Sequence, residues 1–100
     1  MCGIGGIFIE VFKDVAVGLH PLNETEIRRM IQSLKGYPII QGVRGSEGVD
    51  EASYIDIIQR VSNLISAVPE IAEMDINPLL GTSDSVIAVD VRIRIQKAGV

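Results

Sequence analysis

The sequence predicts an α+β domain in which two helices cover one face of an antiparallel sheet. Residues 23–34 and 50–68 each combine a helix N-cap with apolar residues at helical spacing. Residues 70–95 contain two runs in which apolar and charged side chains alternate, joined by the polar turn 81–85. With two shorter strand patterns near the start of the chain, the predicted element order is β-β-α-α-β-β.

The first two strands are predicted between residues 7 and 19. Glycines precede an apolar run over residues 7–12, which is typical of a buried strand interrupted by one acid, Glu10. The glycines lack the following helix and the Gly-Lys-Ser/Thr of a phosphate-binding loop, so they favour a strand with a close neighbour. Residues 13–14 predict a turn, and the alternation over residues 15–19 predicts a second strand that Pro21 ends.

The first helix begins with a capping signal. Asn23 is a suitable N-cap, and Glu26 follows at the spacing of a capping box. Gly36 is expected to end the helix. One apolar stripe follows the i, i+3, i+4, i+7 pattern: Ile27, Met30, Ile31 and Leu34.

Residues 37–48 are predicted to be irregular because a proline and several glycines surround Arg44. An arginine in a Gly-x-Arg-Gly loop can bind a phosphate or an opposite carboxylate, and it can equally be a solvated charge. The second helix is predicted to begin after the N-cap Asp50 and to end before Pro69. Its apolar stripe comprises Tyr54, Ile57, Ile58, Val61, Leu64, Ile65 and Val68.

The C-terminal hairpin sorts its side chains into an apolar face and a polar face, because side chains alternate along a strand. The apolar face comprises Met74, Ile76, Ile87, Val89, Val91, Ile93 and Ile95. If the hairpin folds about the middle of the 81–85 turn, its polar residues form three opposed pairs: Asn77 with Asp90, Asp75 with Arg92, and Glu73 with Arg94.

The pair of Asn77 and Asp90 differs from the other two pairs because it brings oxygen acceptors together without a cation. Directly opposed residues have Cβ atoms about 4.5–5.5 Å apart, so two side-chain oxygens can converge on one ion. Hard cations such as Mg²⁺ prefer oxygen ligands. The pattern therefore predicts a candidate magnesium site, although the same residues also fit the hydrated face of an ordinary amphipathic sheet.

Composition argues against several classes of function. The 100 residues suffice for one domain with one core. A net charge of −4 and an aromatic content of 4% disfavour binding to nucleic acid or to an anionic membrane. Cys2 is the only cysteine, which rules out an internal disulfide and fits a reducing cytoplasm. No apolar run reaches the roughly 20 residues of a membrane span.

Five segments occur in a fixed order along almost the whole chain: GIGGIFIEVFKDV from Gly3, LHPL from Leu19, KGYPIIQGVRG from Lys35, PEIAEMDINPLL from Pro69 and VIAVDVRIRI from Val86. In this order they resemble the nucleotide-binding chain of ADP-forming acetyl-CoA (acyl-CoA) synthetases, whose ATP-grasp domain is similar to that of the succinyl-CoA synthetase β chain. The resemblance implies that residues 1–100 form a single domain, the C-terminal half of an ATP-grasp domain, with the upstream half absent.

The resemblance implies that Asn77 and Asp90 hold the Mg²⁺ of bound ADP or ATP. Asp75 lies beside them, and Glu10, on a neighbouring strand, is a further candidate for the same nucleotide cavity. The implied reaction is phosphoryl transfer between a phosphohistidine and ADP, coupled to interconversion of an acyl-CoA and the free acid. No catalytic residue is assigned to this chain, because His20 does not match the motif of the phosphorylated histidine.

The implied partners are the upstream ATP-grasp half and the chain that binds CoA and carries the phosphohistidine. Without them we expect no competent enzyme. Val17-Gly18 also stands where relatives often have Phe-Arg, which removes a cation. The alternative is a non-catalytic domain that keeps the fold and pairs with another chain, or with a second copy, through exposed strand edges and apolar surface.

Overall fold

The computed structural model of the chain describes residues 1–43, 45 and 47–97, so the prediction for Arg44 lies outside the described residues. The domain is a mixed α+β domain, as predicted. Within the described ranges, no helix has the length and apolar character needed to cross a membrane. In chain order the elements are β1 Cys2–Gly3, α1 Ile7–Glu10, β2 Val15–Ala16, α2 Glu24–Ser33, α3 Tyr37–Gln41, α4 Glu51–Ala67, β3 Ile71–Ile76, β4 Leu79–Gly81, β5 Val86–Ala88 and β6 Val91–Ile95.

The predicted strand over residues 7–12 is wrong. Residues 7–10 form α1, a single helical turn in which the amides of Ile9 and Glu10 both donate to the Gly6 carbonyl, at 3.1 and 3.0 Å. Gly6 has φ of +69°, a conformation that glycine adopts at little steric cost. A short apolar run does not by itself distinguish a strand from a helix, and here the local glycine turn decided the outcome. Glu10 therefore lies on a helix and not on a neighbouring strand.

The second predicted strand is much shorter than residues 15–19. β2 contains only Val15 and Ala16, which pair antiparallel with Gly3 and Cys2 of β1. Val17 and Leu19 are largely exposed, so the apolar alternation beyond Ala16 does not mark a buried face.

The helix α2 forms as predicted and supplies the centre of the core. The Asn23 Oδ1 accepts a hydrogen bond from the Glu26 amide at 2.8 Å, and the Glu26 carboxylate accepts from the Asn23 amide at 3.4 Å, which completes the capping box. The whole predicted stripe is buried: Ile27, Met30, Ile31 and Leu34. Ile40 of α3, inside the segment predicted to be irregular, joins the same core.

Asp14 is a buried carboxylate that joins the N-terminal ribbon to the core. Its Oδ1 accepts a hydrogen bond from the Lys35 amide at 2.8 Å, and its Oδ2 accepts from the Gly36 amide at 2.7 Å. Both amides lie between α2 and α3, where a chain reversal leaves backbone N–H groups without helical partners. The carboxylate thus fixes the position of β2 relative to the two helices.

The helix α4 begins at the predicted N-cap, and Asp50 accepts hydrogen bonds from the amide and the hydroxyl of Ser53 at 3.3 and 2.7 Å. These bonds hold the pKa of Asp50 below its usual range. The predicted apolar stripe is not the most buried face. The buried residues are Ile55, packed in the core, and Ser62, whose hydroxyl accepts from the Leu22 amide at 2.8 Å. The predicted stripe instead lies mostly half-buried beside the hairpin.

The single antiparallel sheet predicted from the sequence is replaced by short antiparallel ribbons. β1 pairs with β2, β3 with β6, and β4 with β5. The last two ribbons belong to one hairpin, and backbone hydrogen bonds from Asn77 N to Asp90 O and from Val89 N to Pro78 O, both 3.0 Å, connect them. The two long helices pack on each other and not as a layer on a broad sheet.

Replacing Asp14 with alanine should lower the free energy of unfolding by about 2–4 kcal/mol, because two backbone amides in a buried region lose a charged acceptor. Urea denaturation followed by circular dichroism measures this change. Asp56→Ala is the matched control, since the Asp56 carboxylate is exposed and, among the residues that the structure describes, pairs only with Arg60 at 2.8 Å, one helical turn away. Its cost should stay below about 0.5 kcal/mol. Equal effects of the two substitutions would contradict the anchoring role of Asp14.

Candidate functional site

The hairpin places Asn77 directly opposite Asp90. The register of the β3–β6 ribbon pairs Glu73 with Arg94 and Asp75 with Arg92, as predicted. The same register continues through the β4–β5 ribbon to the turn, where the Thr82 amide donates to the Ser85 carbonyl at 2.8 Å. The strand pairing is interrupted between the two ribbons, next to the cis peptide bond that joins Asn77 to Pro78, and there the hydrogen bond from Asn77 N to Asp90 O keeps the two residues opposite each other.

The charged side chains of the hairpin pair differently from the simplest prediction. Arg94 forms the expected cross-strand ion pair, with its Nη2 3.3 Å from the Glu73 Oε1. Arg92 faces Asp75 across the ribbon, but its Nε lies 3.7 Å from the Oδ2 of Asp90 on its own strand. Asp90 therefore has a cation beside it, which the consideration of opposed pairs alone did not predict. The i, i+2 spacing of two residues on one strand face was the sequence signal for this contact.

The oxygen atoms at this position suit a hard cation. Asn77, Asp75 and Asp90 are exposed, and among the described residues no hydrogen bond or ion pair engages the side chains of Asn77 or Asp75. The described part of the chain contains no group of three or more His, Cys, Asp or Glu side chains arranged to hold a metal. Mg²⁺ typically takes one or two carboxylates and completes its shell with water and phosphate oxygens. The residues present fit that mode of binding and not a complete cage of protein ligands.

A cavity of about 530 Å³ lies beside this position and is lined by α4, the hairpin, residues 1–5 and residues near α2 and α3. The hairpin contributes residues 74–79, which include Asp75 and Asn77. Neither Glu10 nor Asp90 borders the cavity, so the structure brings Asp75 and Asn77 to it but not the other two candidates. The helix contributes the apolar stripe that the sequence predicted, namely Tyr54, Ile57, Ile58, Val61 and Ile65.

Contacts at the tip of the hairpin hold it to the start of α4. The Asp50 amide donates to the Thr82 carbonyl at 2.7 Å. A Cβ on Gly81 would lie 2.6 Å from a methyl group of Val49, so only glycine allows the turn to approach this closely. At the other end, Pro69 and Glu70 lead directly from α4 into β3. The hairpin is thus fixed to α4 at both ends, and the cavity lies between these attachments.

Cys2 and Tyr54 both line the cavity and lie beside each other. Burial raises the pKa of the Cys2 thiol, while the Tyr54 hydroxyl beside it and the charge of the terminal amino group oppose this increase. Burial also raises the pKa of Tyr54, and the neighbouring Cys2 adds to the effect. Both groups are therefore neutral at physiological pH. No local sequence pattern indicates this pair, because the two residues are distant along the chain.

Comparison with known proteins gives consistent matches over nearly the whole chain. The sequence profile of the ATP-grasp domain family matches residues 1–95. The β subunit of acetate–CoA ligase [ADP-forming] I of Pyrococcus furiosus is 44% identical over 93 residues, which cover 93% of this chain and 40% of that subunit. The 4-hydroxybutyrate–CoA ligase [ADP-forming] of Nitrosopumilus maritimus is 45% identical over 80 residues, covering 80% of this chain and 12% of that protein.

Solved structures show the same fold. An acetyl-coenzyme A synthetase 1 of Ca. Korarchaeum cryptofilum, in complex with coenzyme A and Mg-AMPPCP, superimposes with a TM-score of 0.89 at 37% identity, covering 94% of this chain and 44% of that chain. A Pyrococcus horikoshii protein matches with a TM-score of 0.85 at 38% identity, covering 94% and 40% of the two chains. The chain therefore spans about 40% of the length of the β subunit and the structures that it matches.

The Cys2–Tyr54 contact should change how the alkylation of Cys2 depends on pH. Alkylation of Cys2 by iodoacetamide should be several-fold slower at neutral pH than alkylation of a free cysteine, because the thiolate is the nucleophile and burial disfavours it. Tyr54→Phe should move the alkylation profile to still higher pH, since the Tyr54 hydroxyl lowers the pKa of the thiol.

The same chain unfolded in urea provides the reference profile. The folded state binds the thiol proton more tightly than the unfolded state, so this group stabilises the fold below the ordinary thiol pKa. That contribution should decline as the pH rises through the folded pKa. Identical alkylation profiles for the folded and unfolded chains would show that Cys2 is not buried against Tyr54.

Proposed function

The chain belongs to the ATP-grasp domain family of ADP-forming acetyl-CoA synthetases, and we propose that it forms the magnesium-binding part of their nucleotide site. In this proposal the chain holds Mg-ADP or Mg-ATP during phosphoryl transfer to or from a phosphohistidine. The observation that supports it most directly is the position of Asn77 opposite Asp90, joined by a backbone hydrogen bond between two ribbons of the same hairpin. The related synthetase structure that contains Mg-AMPPCP supports the choice of ligand.

Each oxygen at the site has a separate role in this proposal. Asp90 contributes the negative charge that a divalent cation requires, and Asn77 contributes a neutral amide oxygen from the opposite strand. Bound Mg²⁺ would neutralise phosphate charge and orient the phosphates for transfer. Asp75 lies on β3, two residues before Asn77, and is proposed to act beside the metal. Glu10 remains a candidate for nucleotide binding, although its place on α1 requires it to act from outside the cavity.

We further propose that the site is completed by protein outside these 100 residues. Two side-chain oxygens cannot hold Mg²⁺ tightly alone, and an ATP-grasp cleft needs residues for the adenine and for the phosphates. This chain covers 40% and 41% of the two β subunits that it matches, so more than half of each relative lies outside the matched segment. The proposed partners are the upstream half of the ATP-grasp domain and the chain that binds CoA and carries the phosphohistidine.

A non-catalytic interaction domain is the second candidate, and the exposed apolar face of the hairpin favours it. Ile87, Val89 and Ile95 are between 57% and 70% exposed. The partner that would cover this face is a different chain and not a second copy of this one. If β6 paired antiparallel with itself about its centre, Arg92 would lie opposite Arg94, and opposed like charges destabilise a sheet.

Isothermal titration of the isolated chain with Mg-ADP should give weak or undetectable binding. Addition of the upstream ATP-grasp half of a related β subunit should increase the affinity at least tenfold, because the adenine and phosphate contacts are then supplied. The upstream half titrated alone is the control. Tight binding of Mg-ADP by the 100 residues alone would contradict the proposal of a shared cleft.

Asp90→Asn should abolish synthetase turnover in a chimera in which this chain replaces the matching segment of the Pyrococcus furiosus β subunit. The expected loss is at least a hundredfold, because the only carboxylate of the Asn77–Asp90 pair is removed. Asp84→Asn is the matched control, since Asp84 lies in the turn of the same hairpin and should leave turnover unchanged. Retained activity in the Asp90→Asn chimera, with an active parent chimera, would favour the interaction domain instead.

A further inference from the structure

Arg92 lies between two carboxylates and forms an ion pair with only one of them. Its Nε is 3.7 Å from the Oδ2 of Asp90, on the same strand. Asp75 is its direct partner in the β3–β6 register, yet no ion pair joins Arg92 to Asp75. Along the same ribbon, Arg94 does pair across the strands with Glu73. The two arginines therefore behave differently, and the difference lies at the residue proposed to bind the metal.

We propose that Arg92 is a mobile counter-ion shared by Asp90 and Asp75, so that it occupies Asp90 in the absence of metal and moves to Asp75 when Asp90 binds a divalent cation. This inference rests on the proposed function, because it takes Asp90 as a metal ligand. It assigns to Asp75 a positioning role through Arg92, and not direct coordination of the metal.

The geometry allows this exchange at little energetic cost. The Arg92 side chain is 81% exposed, so no packing has to be broken when the guanidinium moves. The Cβ atoms of directly opposed residues are about 4.5–5.5 Å apart, within the reach of an arginine side chain. Exposed ion pairs contribute little to stability, so replacing one pair with another is close to neutral. A divalent cation that coordinates Asp90 directly repels the guanidinium, and Asp75 is the nearest acceptor across the ribbon.

Two roles of Asp75 can be distinguished by a double-mutant cycle with Arg92. If Asp75 only receives Arg92, its carboxylate matters only while Arg92 is present. If Asp75 coordinates the metal, its removal weakens metal binding whether or not Arg92 is present. The coupling between the two substitutions therefore decides between the roles.

The test is a titration of the 100-residue chain with Mn²⁺, followed by the paramagnetic broadening of the backbone amide signals of residues 75–77 and 90–92. This measurement detects weak binding and needs no nucleotide and no activity. Arg92→Gln should strengthen Mn²⁺ binding about two- to fivefold, because a competing cation is lost. Arg92→Lys keeps the charge and should change the affinity less than Arg92→Gln does. Arg94→Gln is the matched control and should have no effect, since Arg94 pairs with Glu73.

In the second arm of the cycle, Asp75→Asn should weaken Mn²⁺ binding about two- to fivefold in the parent chain and leave it unchanged in the Arg92→Gln background. Equal weakening in both backgrounds would overturn the shared counter-ion and make Asp75 a ligand. An Arg92→Gln variant that binds Mn²⁺ no more tightly than the parent chain would also overturn the shared counter-ion role.

Asp90→Asn separates this inference from the proposed function. If Asp90→Asn removes the Mn²⁺ broadening but the Arg92→Gln and Arg94→Gln variants bind Mn²⁺ with the same affinity, the metal site stands and the counter-ion role fails. If Asp90→Asn leaves the broadening unchanged, the metal site itself fails and the counter-ion role fails with it. If neither the parent chain nor Arg92→Gln shows any broadening, the counter-ion role fails, while the proposed shared cleft, which expects weak binding without the upstream half, stands.

Discussion

The register of the C-terminal hairpin is the constraint on which the candidate site depends. Side chains alternate along a strand, so a slip of one residue would move Asn77 or Asp90 to the other face. The turn fixes the register at one end through the Thr82–Ser85 hydrogen bond, and the Glu73–Arg94 ion pair lies towards the other. A register shift in β3 falls beyond this ion pair, between residues 71 and 73, and the strand pairing is also interrupted at the site itself, where the Asn77–Asp90 hydrogen bond connects the two ribbons.

The helix α4 and the hairpin share a cavity because they are joined at their ends and not along their lengths. The Asp50–Thr82 hydrogen bond and the contact of Gly81 with Val49 hold the tip, while the chain itself joins α4 to β3. Between these points the apolar stripe of α4 lies half-buried, and much of the apolar face of the hairpin is exposed. The core proper is formed elsewhere, around α2 and Asp14. The part of the domain that carries the candidate site is therefore the part with the least internal packing.

The sequence predicted the elements whose signals are local and redundant. The capping box of α2, the N-cap of α4 and the hairpin register each rest on several residues that agree, and all three are observed. Prediction from the sequence failed where one apolar pattern was compatible with both a strand and a helix. Residues 7–12 fit a strand, but the turn at Gly6 and its carbonyl produced a helix. The partner of Arg92 and the Cys2–Tyr54 contact depend on side-chain geometry and tertiary packing, which strand pairing and composition do not specify.

Under the proposed function, the charge balance around Asp90 explains why metal and nucleotide should bind together. Asp90 is the single carboxylate of the opposed pair, and Arg92 already offsets its charge. A divalent cation gains little from one exposed carboxylate and one amide oxygen, since both are well hydrated in its absence. Phosphate oxygens supply the missing negative charge, so the nucleotide raises the affinity for the metal, and by reciprocity the metal raises the affinity for the nucleotide. If Asn77 and Asp90 hold Mg²⁺ as proposed, a strand pair with too few ligands to hold it alone is suited to release it with the product nucleotide.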